Sequence, residues 1–352
     1  MHVSVQIQRE KVGFLMRLSN VSKRCKLLAL GAAAVLSLGL MAGCGSSDQS
    51  ASSGNGKNYK IGIVQLVEHN ALDAANKGFV DGLKERGFEE GKNITIDRQN
   101  AQADQSNLQN IAQRFVSAKM DLICAIATPA AQTMANATHD IPIVGTAITD
   151  YEGAKLVASN KEPKGNVTGT SDMNPVKEQI DLLLKIKPDA KTIGTVYCSS
   201  EVNSEVQVKA MKEYAESKGL TVKVATISTV NDIQQAAQSL VGSVDAFYEP
   251  TDNIIASAMP TLIDITNAAK IPVICGEPNM VKAGGLATYG IDYYKLGVQT
   301  GHMAADILEG KKPSSMPIEM AKDLKVTVNK ANAALLGITF PEDVLKNADT
   351  VE

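Results

Sequence analysis

A chain of 352 residues, 44% hydrophobic and 21% charged, is ordinary globular material with length enough for two domains rather than one core. Its formal charge of −3 and its 4% aromatic content without tryptophan argue against a basic, base-stacking face, so nucleic acid is not an expected partner.

From the N-terminus, the cations Arg17, Lys23, Arg24 and Lys26 precede an apolar run from Leu27 to Gly43, the pattern of a signal peptide over residues 1–43. The run sits at the short limit for a bilayer span. Met16, followed by Arg17, makes a more typical start than Met1. Leu40-Met41-Ala42-Gly43-Cys44 ends the run with small residues before a cysteine and resembles the bacterial lipobox. That resemblance implies that Cys44 is diacylated and becomes the N-terminus on cleavage. Each buried CH₂ contributes about 0.8 kcal/mol, so two acyl chains anchor stably where one does so marginally. Residues 44–58, rich in Ser, Gly and Asn, read as a flexible tether. The expectation is an extracytoplasmic protein, lipid-anchored to the bacterial cell membrane.

From Tyr59 the pattern alternates apolar strand runs with helical faces. "YKIGIVQLV" is a strand, and "ALDAANKGFVDGLKERGF" places Leu72, Phe79 and Leu83 on one helical face. "NITIDRQNA", "SNLQNIAQRFVSAK", "MDLICAIAT", a helix from Pro129 and "IPIVGTAI" complete β-α-β-α-β-α-β, the order of a parallel sheet covered on both faces. Roughly 130 residues on, the order repeats from "AKTIGTVYC" to "IPVICGE". "LATYGID" and the pieces after it are surplus to the repeat and return across the lobes as a hinge. The expected fold is α/β: two similar doubly wound parallel-sheet lobes joined by a multi-strand hinge. Residues 59–172 plus 288–312 form lobe 1, and 173–287 plus 313–345 form lobe 2.

In such sheets ligands gather beyond the carboxyl ends of the strands, which selects the loops to inspect. In "ATPAAQ", Thr128 takes an N-cap position, Pro129 follows, and Ala130 offers an unobstructed amide, a seat for a carboxylate. Gln65 and Glu68 follow the first strand, and Thr146 and Asp150 the fourth. In lobe 2, Ser200, Glu201, Asn203, Thr251, Asp252, Asn253 and Glu277 start helices, and Tyr289, Asp292 and Tyr293 follow the surplus strand. The carboxylates at this mouth can pair with an ammonium, and Tyr151, Tyr248, Tyr289 and Tyr293 offer flat walls. Cys124, Cys198 and Cys275 lack CxxC spacing and read as buried small hydrophobes. His2, His69, His139 and His302 have no paired-ligand spacing, and GxSxG, P-loop and GxGxxG motifs are missing. No metal, no cofactor and no catalysis are expected.

"EHNALD", "GFVDGL", "ATPAAQ", "GTAITD", "SSEVNS", "PTDN", "IPVICGEP" and "YGIDYYKLG", in this order from Tyr59 to Leu336, resemble ABC-transporter substrate-binding lipoproteins of the tryptophan/tyrosine type. Asn70 and Tyr151 stand where that family usually has proline. The resemblance implies the type I periplasmic-binding fold and a receptor that delivers a small solute to an ABC permease. An amino acid, aromatic or branched, suits the residues. Thr128 and Ala130 would take its carboxylate, Asp252 or Asp150 its ammonium, with Gln65 and Asn253 hydrogen-bonding. A sugar or nucleoside receptor, and a sensor without transport, are the alternatives. A monomer suits the task.

Overall fold

The computed structural model describes residues 57–351 apart from 323 and 347. The expected signal peptide, the lipidation site at Cys44 and the tether up to residue 56 lie outside the described residues.

The first lobe opens with β1 (Tyr59–Gln65), α1 (Asn70–Glu85), β2 (Ile94–Asn100) and α2 (Gln105–Ser117). It continues through β3 (Leu122–Ile126), α3 (Thr128–Ala137), β4 (Ile143–Ile148) and β5 (Val167–Ser171). Ile61, Ile63 and Val64 of β1 and all of β3 and β4 are buried, because helices cover both faces of the sheet and leave no strand a wet side.

The chain then crosses to the second lobe: α4 (Val176–Ile186), β6 (Thr192–Cys198), α5 (Val202–Ser217), β7 (Thr221–Ile227) and α6 (Ile233–Leu240). After these come β8 (Ala246–Glu249), α7 (Asn253–Ser257), α8 (Met259–Ala268), β9 (Val273–Cys275), α9 (Pro278–Lys282) and β10 (Ala287–Ile291). The order β2-β1-β3-β4-β5 in the first sheet has its counterpart in β7-β6-β8-β9-β10 of the second, so the internal repeat read from the sequence is a structural repeat.

Helix α10 (Tyr293–Leu308) and β11 (Glu319–Met320) return to lobe 1, where β11 pairs with β5. Strand β12 (Leu324–Asn329), α11 (Lys330–Leu336), α12 (Glu342–Leu345) and β13 (Ala348–Val351) close lobe 2, with β12 antiparallel to β10. The chain therefore crosses between lobes after β5, after β10 and after β11. The expected division needs correcting at two points. Residues 288–291 belong to the second sheet, because β10 pairs with β9 and β12. Residues 319–320 belong to the first, because β11 extends its edge.

Helix α10 docks on α1 almost backbone to backbone. A Cβ on Gly78 would stand 2.1 Å from the Tyr294 carbonyl oxygen, and one on Gly297 2.1 Å from that of Ala75. Gly297 lies against Ala75 and Phe79, and Gly301 against Phe79 and Leu83, so the two helices run parallel and start at the same end. Glycine is required here by the close approach, since any side chain would push the pair apart. The cysteines Cys124, Cys198 and Cys275 are free and buried, as their apolar settings imply.

Candidate functional site

The carboxyl ends of both sheets meet at a narrow cavity lined from both lobes. The lobes are in contact across it: His69, at the tip of α1, lies 3.2 Å through Nε2 from Asn253 Oδ1, at the start of α7. Asn253 Nδ2 donates to Glu201 at 2.6 Å, which fixes the amide so that Oδ1 accepts and His69 Nε2 carries the proton. Burial pulls the His69 pKa below its usual value, so the ring is neutral at pH 7.

The lobe 1 wall consists of His69, Ala71 and Leu72 from the start of α1 and Ala147 and Thr149 from the end of β4. Ala147 has φ of +55°, and the β4–β5 register shifts between Gly145 and Ile148. An alanine held left-handed costs about 1–2 kcal/mol and is tolerated where the surroundings enforce it; here the irregularity turns β4 outward into the cavity. Ala127, at φ +84°, is a second such residue and is the N-cap of α3, so Thr128 is the first helical residue instead of the cap. Thr128 Oγ1 is buried and unpartnered.

The lobe 2 wall holds carboxylates, and their partners explain most of them. Glu201 accepts the backbone N–H groups of Asn253 and Ile254 and the side-chain amides of Asn203 and Asn253. Asp252 accepts from Ile255 N, Cys198 N and Ser204 Oγ at 2.9, 2.7 and 2.8 Å. Glu277 caps α9, taking Asn279 N at 2.6 Å and Met280 N at 2.8 Å. These acids satisfy helix-end donors that would otherwise be orphaned. Glu249, fully buried, accepts from Val196 N and leaves Oε2 without a partner. Burial pushes Glu277 up to about 7 and also raises Glu201, Asp252 and Glu249.

Asp172 differs. It follows β5 at the first crossover, is 3% exposed and lines the cavity. Its carboxylate receives hydroxyls, Thr149 Oγ1 at 2.9 Å and Tyr293 Oη at 2.6 Å. Burial raises its pKa. Among the described residues, no ion pair involves Asp172, Glu201, Glu249, Asp252 or Glu277. Asn203, 4% exposed, lines the cavity too; its Nδ2 is held by Glu201 and its Oδ1 has no partner.

Of the residues expected at the site, Asn203, Thr251, Asp252, Asn253, Glu277 and Tyr293 line this cavity, and Glu201 braces it from behind. Others stand elsewhere. Pro129 and Ser200 border an outer groove, and Thr128, Ala130 and Thr146 are buried outside the wall. Gln65 ties down the β1–α1 turn through Val67 O, Asp73 and Asn76, while Glu68 is exposed. Asp150 accepts from Gly153 N and Asp292 from Lys295 N, each a local cap. Tyr289 stays outside the wall, and Tyr151 and Tyr248 are fully buried, donating to Thr170 O and Gln179 Oε1. Asp172, Ala147, Thr149, Leu72 and Met280 join the wall without being in the expected set. A search of the residue after every strand would reach Asp172, but "VTGTS" has too little aliphatic character to read as a strand.

Two doubly wound lobes meeting on an enclosed, acceptor-lined cavity define a solute-binding protein of the type I periplasmic-binding fold. The ABC transporter substrate binding protein family matches residues 60–352, and the chain belongs to that family. A tyrosine-binding protein of Clostridioides difficile (strain R20291) is 44% identical over 314 residues, 88% of this chain and 91% of that one. An ABC domain from Streptococcus pneumonia in complex with L-Trp is 43% identical, with a TM-score of 0.82 over 84% of this chain and 100% of that one. The ligand-free, open structure of a substrate-binding protein with adhesive properties from Clostridium difficile is 48% identical, yet superposes with a TM-score of only 0.65 over 84% and 99%. The better fit to the L-Trp complex at lower identity agrees with lobes drawn together here.

Proposed function

We propose that this protein captures an aromatic α-amino acid, of the tyrosine or tryptophan type, between its lobes and delivers it to an ABC permease. The observation that carries the reading is the cavity itself, where, among the described residues, Asp172 has no cation and Asn203 Oδ1 no donor. Buried charge is stable when it is paired and hydrogen-bonded, and an ammonium supplies both the charge and the donors. The ligand's carboxylate is assigned to lobe 1, where the start of α1 lines the wall. Leu72, Met280 and the Tyr293 ring offer the apolar surface for its side chain.

The relatives named above, one tyrosine-binding and one holding L-Trp, support an aromatic ligand. The lipobox-like Cys44 supports tethering outside the cytoplasm, and no described helix is long and apolar enough to cross a membrane. Isothermal titration with L-tyrosine, L-tryptophan, L-leucine, glucose and adenosine tests the ligand class. Saturable binding of an aromatic amino acid is expected; binding of the sugar or nucleoside alone would overturn the reading.

A further inference from the structure

We infer that Asp172 is the counter-charge for the ligand's ammonium group and that its bond to Tyr293 makes ligand occupancy felt at two of the crossovers on which the lobes turn. This rests on the ligand being an amino acid.

Several acids crowd the cavity, and their existing partners separate them. Glu201, Asp252 and Glu277 are occupied by backbone N–H groups at the starts of α7 and α9, so their charge is already spent on the fold. Asp172 holds no helix end. Its oxygens accept one hydroxyl each, and an ionised carboxylate offers about four lone-pair directions, so acceptor capacity remains on both. The second acceptor is Asn203 Oδ1, from the opposite lobe, buried and unpartnered on the same cavity. An ammonium, with three donors and no acceptor, suits this pair, whereas a neutral hydroxyl would leave Asp172 uncompensated.

The position of Asp172 adds a mechanical role. It sits on the crossover after β5, and Tyr293, whose hydroxyl it accepts at 2.6 Å, is the first residue of α10 on the crossover after β10. Thr149, the other donor, directly follows β4 of lobe 1 and also lines the cavity. A cation landing on Asp172 thus acts on a clasp between two hinge segments, and Tyr293 is a positioning residue that holds the carboxylate where both lobes close on it.

The test compares wild type, Asp172→Asn, Asp172→Ser and Tyr293→Phe by isothermal titration with L-tyrosine, L-tryptophan and their desamino analogues, 3-(4-hydroxyphenyl)propionate and indole-3-propionate. Wild type should prefer the amino acid. Asp172→Asn and Asp172→Ser should lose affinity for it by roughly 100-fold or more while the desamino acid changes less than about threefold. Either variant that folds decides the point, and equal losses for both ligands would overturn the ammonium role. Tyr293→Phe should still discriminate the two ligands, but the ligand-induced contraction seen by small-angle X-ray scattering should shrink; contraction equal to wild type would overturn the clasp. A wild type that binds only ligands without an ammonium would instead overturn the amino-acid reading, a result distinct from a failure of Asp172 alone.

Discussion

The two lobes share one strand order but present different chemistry to the cavity. Lobe 2 offers Asp252 and Glu277, with Glu201 behind them, and nearly every oxygen of these acids is bound to a helix start. Lobe 1 offers the small or apolar Ala71, Leu72 and Ala147, one alanine held left-handed, beside the uncharged polar groups of His69 and Thr149. The difference teaches that negative charge around a cleft is not by itself a ligand signal. In lobe 2 the acids are architecture, and the acid left for a ligand sits on the hinge between the lobes.

The sharpest way to break this contrast is Glu201→Ala. It strands the N–H groups of Asn253 and Ile254 in a dry site and should destabilise lobe 2 by about 3 kcal/mol, read as a lowered denaturant midpoint. Next is the pH dependence of the ligand-free protein. Glu277 titrates near 4.5 when unfolded and about 7 when folded, so between those values the folded chain binds more protons than the unfolded one. Stability should therefore fall as pH rises from about 4.5 to 7, Glu277 contributing on the order of a few kcal/mol, and Glu277→Gln should lessen that slope in thermal melts while the other buried acids keep part of it. On the lobe 1 side, Gly297→Ala forces a Cβ into the Ala75 carbonyl and should cost about 1–3 kcal/mol by equilibrium denaturation. The smallest effect is expected where the lobes touch. His69→Ala removes one hydrogen bond across the cleft, about 1 kcal/mol, and should speed ligand release several-fold in stopped-flow experiments with little change in melting temperature.

Much of the fold is legible in the sequence because its signals are local. The face of Leu72, Phe79 and Leu83 is buried as its spacing implies, and the repeat of strand and helix around Cys198 is real. Strand pairing is a long-range property, which is why most of Ala287–Ile291 is assigned to the wrong lobe from sequence: its apolar run does not say which neighbour it will meet. At the site, helix-start residues such as Asn203, Asp252 and Asn253 are visible from topology, but whether a carboxylate caps its own helix or faces a ligand depends on where its oxygens point. Asp172 escapes the sequence reading because β5, rich in Thr and Gly, buries its backbone against neighbours without an aliphatic run to announce it.

The parallel docking of α1 and α10 has an electrostatic consequence. Each helix carries roughly half a positive charge at its start, and glycine lets the two macrodipoles lie side by side with both positive poles at the cavity. Aligned dipoles at that spacing repel; Asp292 at the start of α10 and Asp73 in the first turn of α1 answer part of that field, and an anionic group in the cavity would answer more. A zwitterion answers both needs of the cavity at once, its negative end settling the poles and its positive end settling the hinge acid. Tyramine, which keeps the amine and lacks the carboxylate, would meet only the second.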